Sequence, residues 1–265
     1  MLTLSALQMQ PYSCDKAENL AVIRSAAQAA ADLGSALLVT PEMSLTGYAS
    51  FKRMQEVAEP RDGYMVNALL DIAHKSNIAV VAGLPERDGD DIFNSAVCAL
   101  PSGKTYFYRK CHLFGPYELR SFKKGHEISP IFQIGEMQAG MLICYDVEFP
   151  EWTRSLALAG AELFIVPTAL PLGPENDRVS RLMVPTRALE NHVSIVYAGL
   201  CGAEGKVGYQ GGSCIVGPDG VDLVRAGTQP GLLTTRVQKA PAAEAMTDPY
   251  LTDRRPDLYQ RLHVS

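Results

Sequence analysis

The sequence predicts an α/β layered fold, and two observations carry that prediction. From Leu2 to Gly83, apolar runs of strand character alternate with helical stretches, the pattern that favours helices packed on a sheet. Further along, short apolar runs pair around turns that contain Pro or Gly, as hairpins do. The composition suits such a fold. Of the 265 residues, 47% are hydrophobic and 20% charged, a globular balance with enough apolar surface for a substantial core.

The elements follow in order. Leu2 to Met9 is short, apolar and rich in strand formers. Asp15-Lys16-Ala17-Glu18 is a capping box ahead of an Ala-rich helix to about Leu33, which Gly34 stops. Ala36 to Thr40 reads as a buried strand, Met65 to Lys75 as a second helix, and Ile78 to Gly83 as another buried strand. Phe93 to Leu100 and Lys104 to Lys110 flank the hairpin signal Pro101-Ser102-Gly103. Ile128 to Ile134 and Met137 to Cys144 form a second pair around Gly135-Glu136. Pro150 opens a helix through Leu158, with Glu151 in the first turn where the helix dipole favours an acid. Glu162 to Val166 is a strand, and Arg178 to Asn191 is a helix despite Pro185. His192 to Leu200 and Gly212 to Val216 are strands, with Gly202 to Gly208 a surface loop between them. Pro218-Asp219-Gly220 turns the chain into Val221 to Arg225, and Leu232 to Val237 closes the set. No linker, repeat or low-complexity tract divides the chain, so residues 1–265 read as one domain. Its tail, from about 240 to 265, has few apolar groups and is expected to pack against another surface.

Several function classes are excluded at this level. With 24 Lys+Arg against 29 Asp+Glu the net charge is −5, which argues against a nucleic-acid footprint. No apolar run approaches the roughly 18 residues of a membrane span, and Met1 to Gln10 lacks the basic start and cleavage site of a signal peptide. A cytoplasmic protein is expected. The six cysteines, Cys14, Cys98, Cys111, Cys144, Cys201 and Cys214, are scattered without a C-x-x-C pair. Cys111 and His112 with His126 lack a fourth ligand at a usual spacing, so neither a metal nor another cofactor is expected.

Three segments place a reactive side chain where a strand ends, the position from which α/β folds present their sites. In Thr40-Pro41-Glu42-Met43-Ser44-Leu45-Thr46-Gly47-Tyr48, Glu42 follows an apolar strand among uncharged neighbours. Desolvation there would raise its pKa toward that of a general base, although by itself the segment fits a loop carboxylate facing water better. Lys110 ends the aromatic strand Tyr106-Phe107-Tyr108-Arg109, as an electrostatic clamp or as a Lys snorkelling from a strand end. The run Gly140-Met141-Leu142-Ile143 delivers Cys144 into a short turn before a helix. Such an elbow can expose a thiol near oxyanion-binding N–H groups, and it can equally bury a small apolar residue.

Taken together, the segments resemble the nitrilase superfamily of carbon–nitrogen hydrolases. The resemblance is carried by Pro41 to Tyr48, by Arg109-Lys110-x-His112-Leu113-Phe114, and by Cys144-Tyr145-Asp146-x-x-Phe149-Pro150-Glu151. Arg187 to Asn191, Gly211-Gly212-Ser213 ahead of Pro218-Asp219-Gly220, and Arg255 to Tyr259 add to it in the family's order. It implies a four-layer α-β-β-α sandwich, with the C-terminal tail packed on a partner subunit of a homodimer or higher homo-oligomer. It also implies a Glu–Lys–Cys triad on Glu42, Lys110 and Cys144, with Glu118 as a second active-site carboxylate in the loop after the Lys. The implied oxyanion donors are Lys110 and the N–H of Tyr145, and the pocket is expected from Tyr48, Tyr145, Thr168, Ala169 and Leu170. Arg178 and Arg181 could clamp a substrate carboxylate, but solvated or salt-bridged side chains suit them better. The wording around Cys144 is similar to amidase branches, including omega-amidase-like enzymes, which implies hydrolysis of small primary amides through a cysteine thioester. N-carbamoyl-amine hydrolysis is the alternative; a nitrilase, an acyltransferase to soluble amines and a silent scaffold stand behind it.

Overall fold

Side-chain alternation along the first strands builds the centre of the molecule. In the computed structural model, which describes residues 1–48, 53–241 and 249–259, five strands lie in one sheet in chain order. They are β1 (Leu2–Gln8), β2 (Leu37–Val39), β3 (Ala79–Asp88), β4 (Asp91–Ala99) and β5 (Thr105–Arg109). The last strand, β14 (Gly231–Val237), pairs antiparallel with β1 at the far edge. Leu37 and Val39 of β2, and Ala79 and Val81 of β3, face inward between two sheets. Leu38 and Val80 point the other way, onto helices α1 (Lys16–Asp32) and α3 (Tyr64–Ser76). The period of two in these strands thus becomes two buried faces, as expected for a sheet covered on both sides. Asp15 caps α1 by accepting from the Glu18 N–H at 3.1 Å, and the single turn α2 (Met54–Val57) precedes α3.

The second half of the chain repeats the plan. Helix α4 (Gly115–Ser121) leads to β6 (Phe132–Ile134) and β7 (Met137–Met141), and Cys144–Glu148 forms a 3₁₀ turn before helix α5 (Pro150–Leu158). Strand β8 (Leu163–Thr168), helix α6 (Pro174–Arg178), a π turn at Val179–Met183 and helix α7 (Val184–Asn191) follow. Strands β9 (Ser194–Gly199), β12 (Cys214–Val216) and β13 (Asp222–Arg225) complete a second six-stranded sheet of order β13-β12-β9-β8-β7-β6. Leu156 of α5 and Ala188 of α7 pack on it, so two mixed sheets stack between helical layers.

Some elements differ from the sequence-based boundaries. The 178–191 helix is interrupted, because Pro185 has no N–H to donate and the wide π turn precedes it. His192 belongs to the helix end: its left-handed φ of 52° stops α7, and β9 begins at Ser194. Residues 202–208 form most of a two-stranded hairpin, β10 (Cys201–Glu204) with β11 (Val207–Gln210), instead of a loop. In the tail, α8 is a single turn (Pro256–Tyr259), and Tyr250 stacks on His192 of the same chain with ring centroids 5.6 Å apart; residues 242–248 and 260–265 lie outside the described residues.

One glycine is required by a close approach. A Cβ on Gly83 in β3 would fall 2.4 Å from the Met43 nitrogen and 2.7 Å from Cα of Glu42, and backbone cannot swing aside as a side-chain tip can. Gly83→Ala is expected to cost about 1–3 kcal/mol in urea unfolding and to displace the turn after β2. An unchanged unfolding midpoint would show that this turn is looser than its contacts imply.

Candidate active site

Strand direction decides what can meet. Strands β2 and β3 run parallel, while β4 and then β5 each reverse, so β2 and β5 end at the same edge of the first sheet. Glu42 follows β2 and Lys110 follows β5 at that edge. The facing sheet brings β7 to the same place, and three residues past its last residue, Met141, the chain turns at Cys144. Side chains 8 to 102 positions apart are thereby gathered around one cavity of about 290 Å³, lined by Glu42, Lys110, Glu118 and Cys144 together with an aromatic and aliphatic wall.

The polar geometry is tight. Lys110 Nζ donates to Glu42 Oε1 at 2.8 Å and to Glu118 Oε1 at 2.8 Å. Asn94 Nδ2, on the neighbouring strand β4, donates to the same Glu42 oxygen at 2.7 Å. Glu42 Oε2 is buried and has no hydrogen-bond partner among the described residues, which leaves its acceptor lone pairs unsatisfied. The second oxygen of Glu118 accepts the Phe114 N–H, which fixes the first turn of α4 beneath it. Glu118 therefore stands on a helix, not in the loop expected for it.

Charge partition follows from burial. Desolvation pulls the Lys110 ammonium down, but the charges of Glu42 and Cys144 and the hydrogen bond to Glu42 outweigh it, so its pKa is raised. Burial first, then the Glu42 charge, push the Glu118 carboxyl above the ordinary carboxylate range. Burial also raises the Cys144 thiol far above its usual value, and the Glu42 charge adds to this; Lys110, the Thr168 hydroxyl and the Ala169 N–H act in the opposite sense. In the free protein Cys144 is thus held as a thiol, and its ionisation would need a proton transfer.

The elbow that carries Cys144 is strained and clamped. Cys144 has φ 46° and Met43, next to Glu42, has φ 53°, conformations that non-glycine residues seldom adopt. Asp146 holds the Cys144 turn. Its carboxylate accepts from the Ile143 N–H at 3.0 Å, the His112 N–H at 2.9 Å, His112 Nδ1 at 2.8 Å and the Tyr108 hydroxyl at 2.8 Å. Trp152 Nε1 then donates to Tyr108 at 3.0 Å, and His112 stacks on Phe149 at 4.0 Å. This web ties the Lys110 segment to the Cys144 turn. Asp146→Asn turns an NH₂ toward donors and is expected to cost about 2–4 kcal/mol of stability by urea unfolding; a loss under about 0.5 kcal/mol would mean that the clamp carries little of the strain.

The expected pocket residues are placed unevenly. Tyr48, Tyr145, Ala169 and Leu170 line the cavity, with Tyr145 packed edge-on against Phe114 and Phe149. Thr168 does not. It is buried behind the wall at the end of β8 and donates to the Tyr197 hydroxyl at 3.1 Å. Arg181 pairs with Asp177 at 2.7 Å outside the cavity. Sequence reasoning missed Asn94, although a buried Asn opening an apolar strand was a legible signal. It also missed Glu148, and the hairpin residues Val207 and Tyr209 that close one side. Among the described residues no three His, Cys, Asp or Glu side chains cluster to hold a metal, and no helix is long and apolar enough to cross a membrane.

A thiol, an acceptor carboxylate and an ammonium around a small, largely apolar cavity are the equipment of acyl transfer. The comparisons agree. The carbon-nitrogen hydrolase family profile matches residues 3–245. A hydrolase from the pqqF 5′ region of Pseudomonas protegens is 37% identical, over 98% of this chain and 92% of its own. The (R)-stereoselective amidase of a Pseudomonas species is 34% identical, over 96% and 92%. Among solved structures, a mutant of the Nesterenkonia AN1 amidase from the nitrilase superfamily superposes with a TM-score of 0.88 at 34% identity, covering 98% of this chain and 97% of that one. Another mutant of that amidase shows Michael addition of acrylamide at its active-site cysteine. With its two stacked mixed sheets and this family match along nearly its whole length, the chain belongs to the carbon–nitrogen hydrolases of the nitrilase superfamily and is a hydrolase of the amidase type.

Proposed function

We propose that this hydrolase cleaves small primary amides to a carboxylic acid and ammonia through a thioester on Cys144. The convergence of Cys144, Glu42, Lys110 and Glu118 on one cavity carries the reading. Cys144 Sγ attacks the amide carbonyl carbon while its proton passes to Glu42. The oxyanion is held by the Lys110 ammonium and the Tyr145 N–H. The C–N bond then breaks, Glu42 returns the proton to nitrogen, and ammonia leaves a thioester. Water, deprotonated by Glu42, attacks that thioester; the acid departs and the thiol regains its proton. Asn94 and Lys110 both hold Glu42 Oε1, so Oε2 is the oxygen left to carry protons. Glu118 orients Lys110 from the other side. The acrylamide adduct in the Nesterenkonia amidase supports a reachable thiol in this fold.

The reading includes assembly as a homodimer or higher homo-oligomer, supported by Leu158 on α5 and Leu189 on α7, large apolar side chains left exposed. Ammonia release from a panel of primary amides, N-carbamoyl amines and nitriles tests the substrate class. Ammonia from amides, with hydroxamate formed when hydroxylamine is added, is the expected result. Activity confined to N-carbamoyl amines or nitriles would overturn it.

A further inference from the structure

The cavity holds a carboxylate that this mechanism does not use. Glu148 lines it, on the same 3₁₀ turn as Cys144 and four residues further on. Its side chain makes no hydrogen bond or ion pair with the described residues, while its main chain is pinned. Arg187 donates to the Val147 carbonyl at 3.0 Å and to the Glu148 carbonyl at 2.9 Å, and its remaining nitrogen pairs with Glu190 at 3.1 Å. Glu148 is half-buried, and desolvation pushes its carboxyl upward, with the Lys110 and Arg187 charges opposing.

The charge count around it is lopsided. Among the described residues lining the cavity there are three acidic side chains, Glu42, Glu118 and Glu148, of which burial and the Glu42 charge hold Glu118 toward its neutral form, and one cation, Lys110. Lys110 already commits donors to the other two acids. The remaining wall is largely apolar, from side chains such as Tyr48, Leu170 and Val207. A carboxylate left unpaired in such surroundings loses hydration without a compensating contact, and a ligand cation would supply one.

We propose that Glu148 is a specificity-determining residue that selects amides whose acyl chain carries a protonated amine and rejects those carrying a carboxylate. This rests on the amidase reading above. The amine nitrogen donates to the Glu148 carboxylate while the scissile carbonyl sits at Cys144, and the apolar wall covers the carbon chain between them. A second acid on the acyl chain meets the Glu42 and Glu148 carboxylates and an ammonium that is already engaged. Arg178 and Arg181 do not line the cavity and offer no clamp there.

The test compares kcat/KM for four probes of similar size: alaninamide, β-alaninamide, propionamide and succinamate. The wild-type protein is expected to prefer at least one amine-bearing amide over propionamide by roughly 10- to 100-fold, the range of a charge-assisted hydrogen bond, and to turn over succinamate more slowly than propionamide. Glu148→Gln, which keeps the shape and removes the charge, is expected to bring the amine-to-propionamide ratio to about one and to raise the succinamate-to-propionamide ratio. The wild-type comparison needs no variant, so it stands even if the Gln protein fails to fold. Amide turnover with no amine preference overturns this inference alone, as does a preference that survives in Glu148→Gln. No turnover of any amide overturns the amidase reading as well.

Discussion

Replacing Cys144 by alanine is expected to lower amide turnover by about 10⁴-fold or more, the scale seen when a covalent nucleophile is deleted. Alanine supplies nothing that can bond to the carbonyl carbon, so the thioester route through this 6% exposed position is lost. The loss should be purely chemical. Removing one buried sulfur leaves a small void worth about 1 kcal/mol, and the Asp146 bonds that hold the turn do not involve the thiol. Single-turnover ammonia release and the thermal midpoint, measured together, check this. A rate within tenfold of wild type would place the nucleophile elsewhere. The other cysteines are poor substitutes: Cys98, Cys201 and Cys214 are buried and held above their usual pKa by that burial, and Cys111 donates to the carbonyls of Arg109 and Glu127.

Lys110→Met is expected to be the most damaging substitution for the folded state. It leaves Glu42 and Glu118, both almost fully buried, without the ammonium that lies 2.8 Å from each. Uncompensated buried charge costs about 3–5 kcal/mol, and activity should fall with it, because the oxyanion loses its cation. The sign of the pH dependence distinguishes this account from a simple loss of packing. Without Lys110, the buried Glu118 carboxyl loses its nearest cation, and its folded pKa, already raised by burial and the Glu42 charge, rises further above the unfolded carboxylate value of about 4.3. A group raised in the folded state contributes stability below its unfolded pKa and loses it as pH climbs through the folded one. The Lys110→Met protein should therefore be markedly less stable at pH 8 than at pH 5, relative to wild type. A deficit equal at both values would assign the loss to packing alone. In the wild type the raised Glu118 follows the same sign.

Much of the candidate site was legible because it is local. Glu42, Lys110 and Cys144 each sit directly after an apolar strand, and a strand end is recognisable within ten residues of sequence. The Asp15 cap, the strand alternation in β2 and β3 and the Pro150 helix start were readable for the same reason: each depends on backbone hydrogen bonding or side-chain period within one element. Their order along the chain was enough to indicate the family, and the family its layered fold.

What the tertiary structure decided are the relations between distant residues. Asn94 supports Glu42 across 52 positions and Asp146 grips His112 across 34, and no local pattern encodes which strand lies beside which. Residues 201–210 became a hairpin because Glu204 accepts the Tyr48 N–H and the Tyr209 hydroxyl, both at 2.7 Å, so the pairing is completed by a loop about 150 positions away. Thr168 stays buried at the end of β8, against Tyr197 and the Cys144 thiol and short of the cavity surface, and the phase of β8 is set by pairing with β7 and β9. The share of charge among Glu42, Lys110, Glu118 and Glu148 also belongs to this level. The sequence alone determined which reactive groups the protein has and where strands present them. Only the packed fold decided their neighbours, their hydration and their protonation, because desolvation and Coulomb energy depend on distances through space and not along the chain.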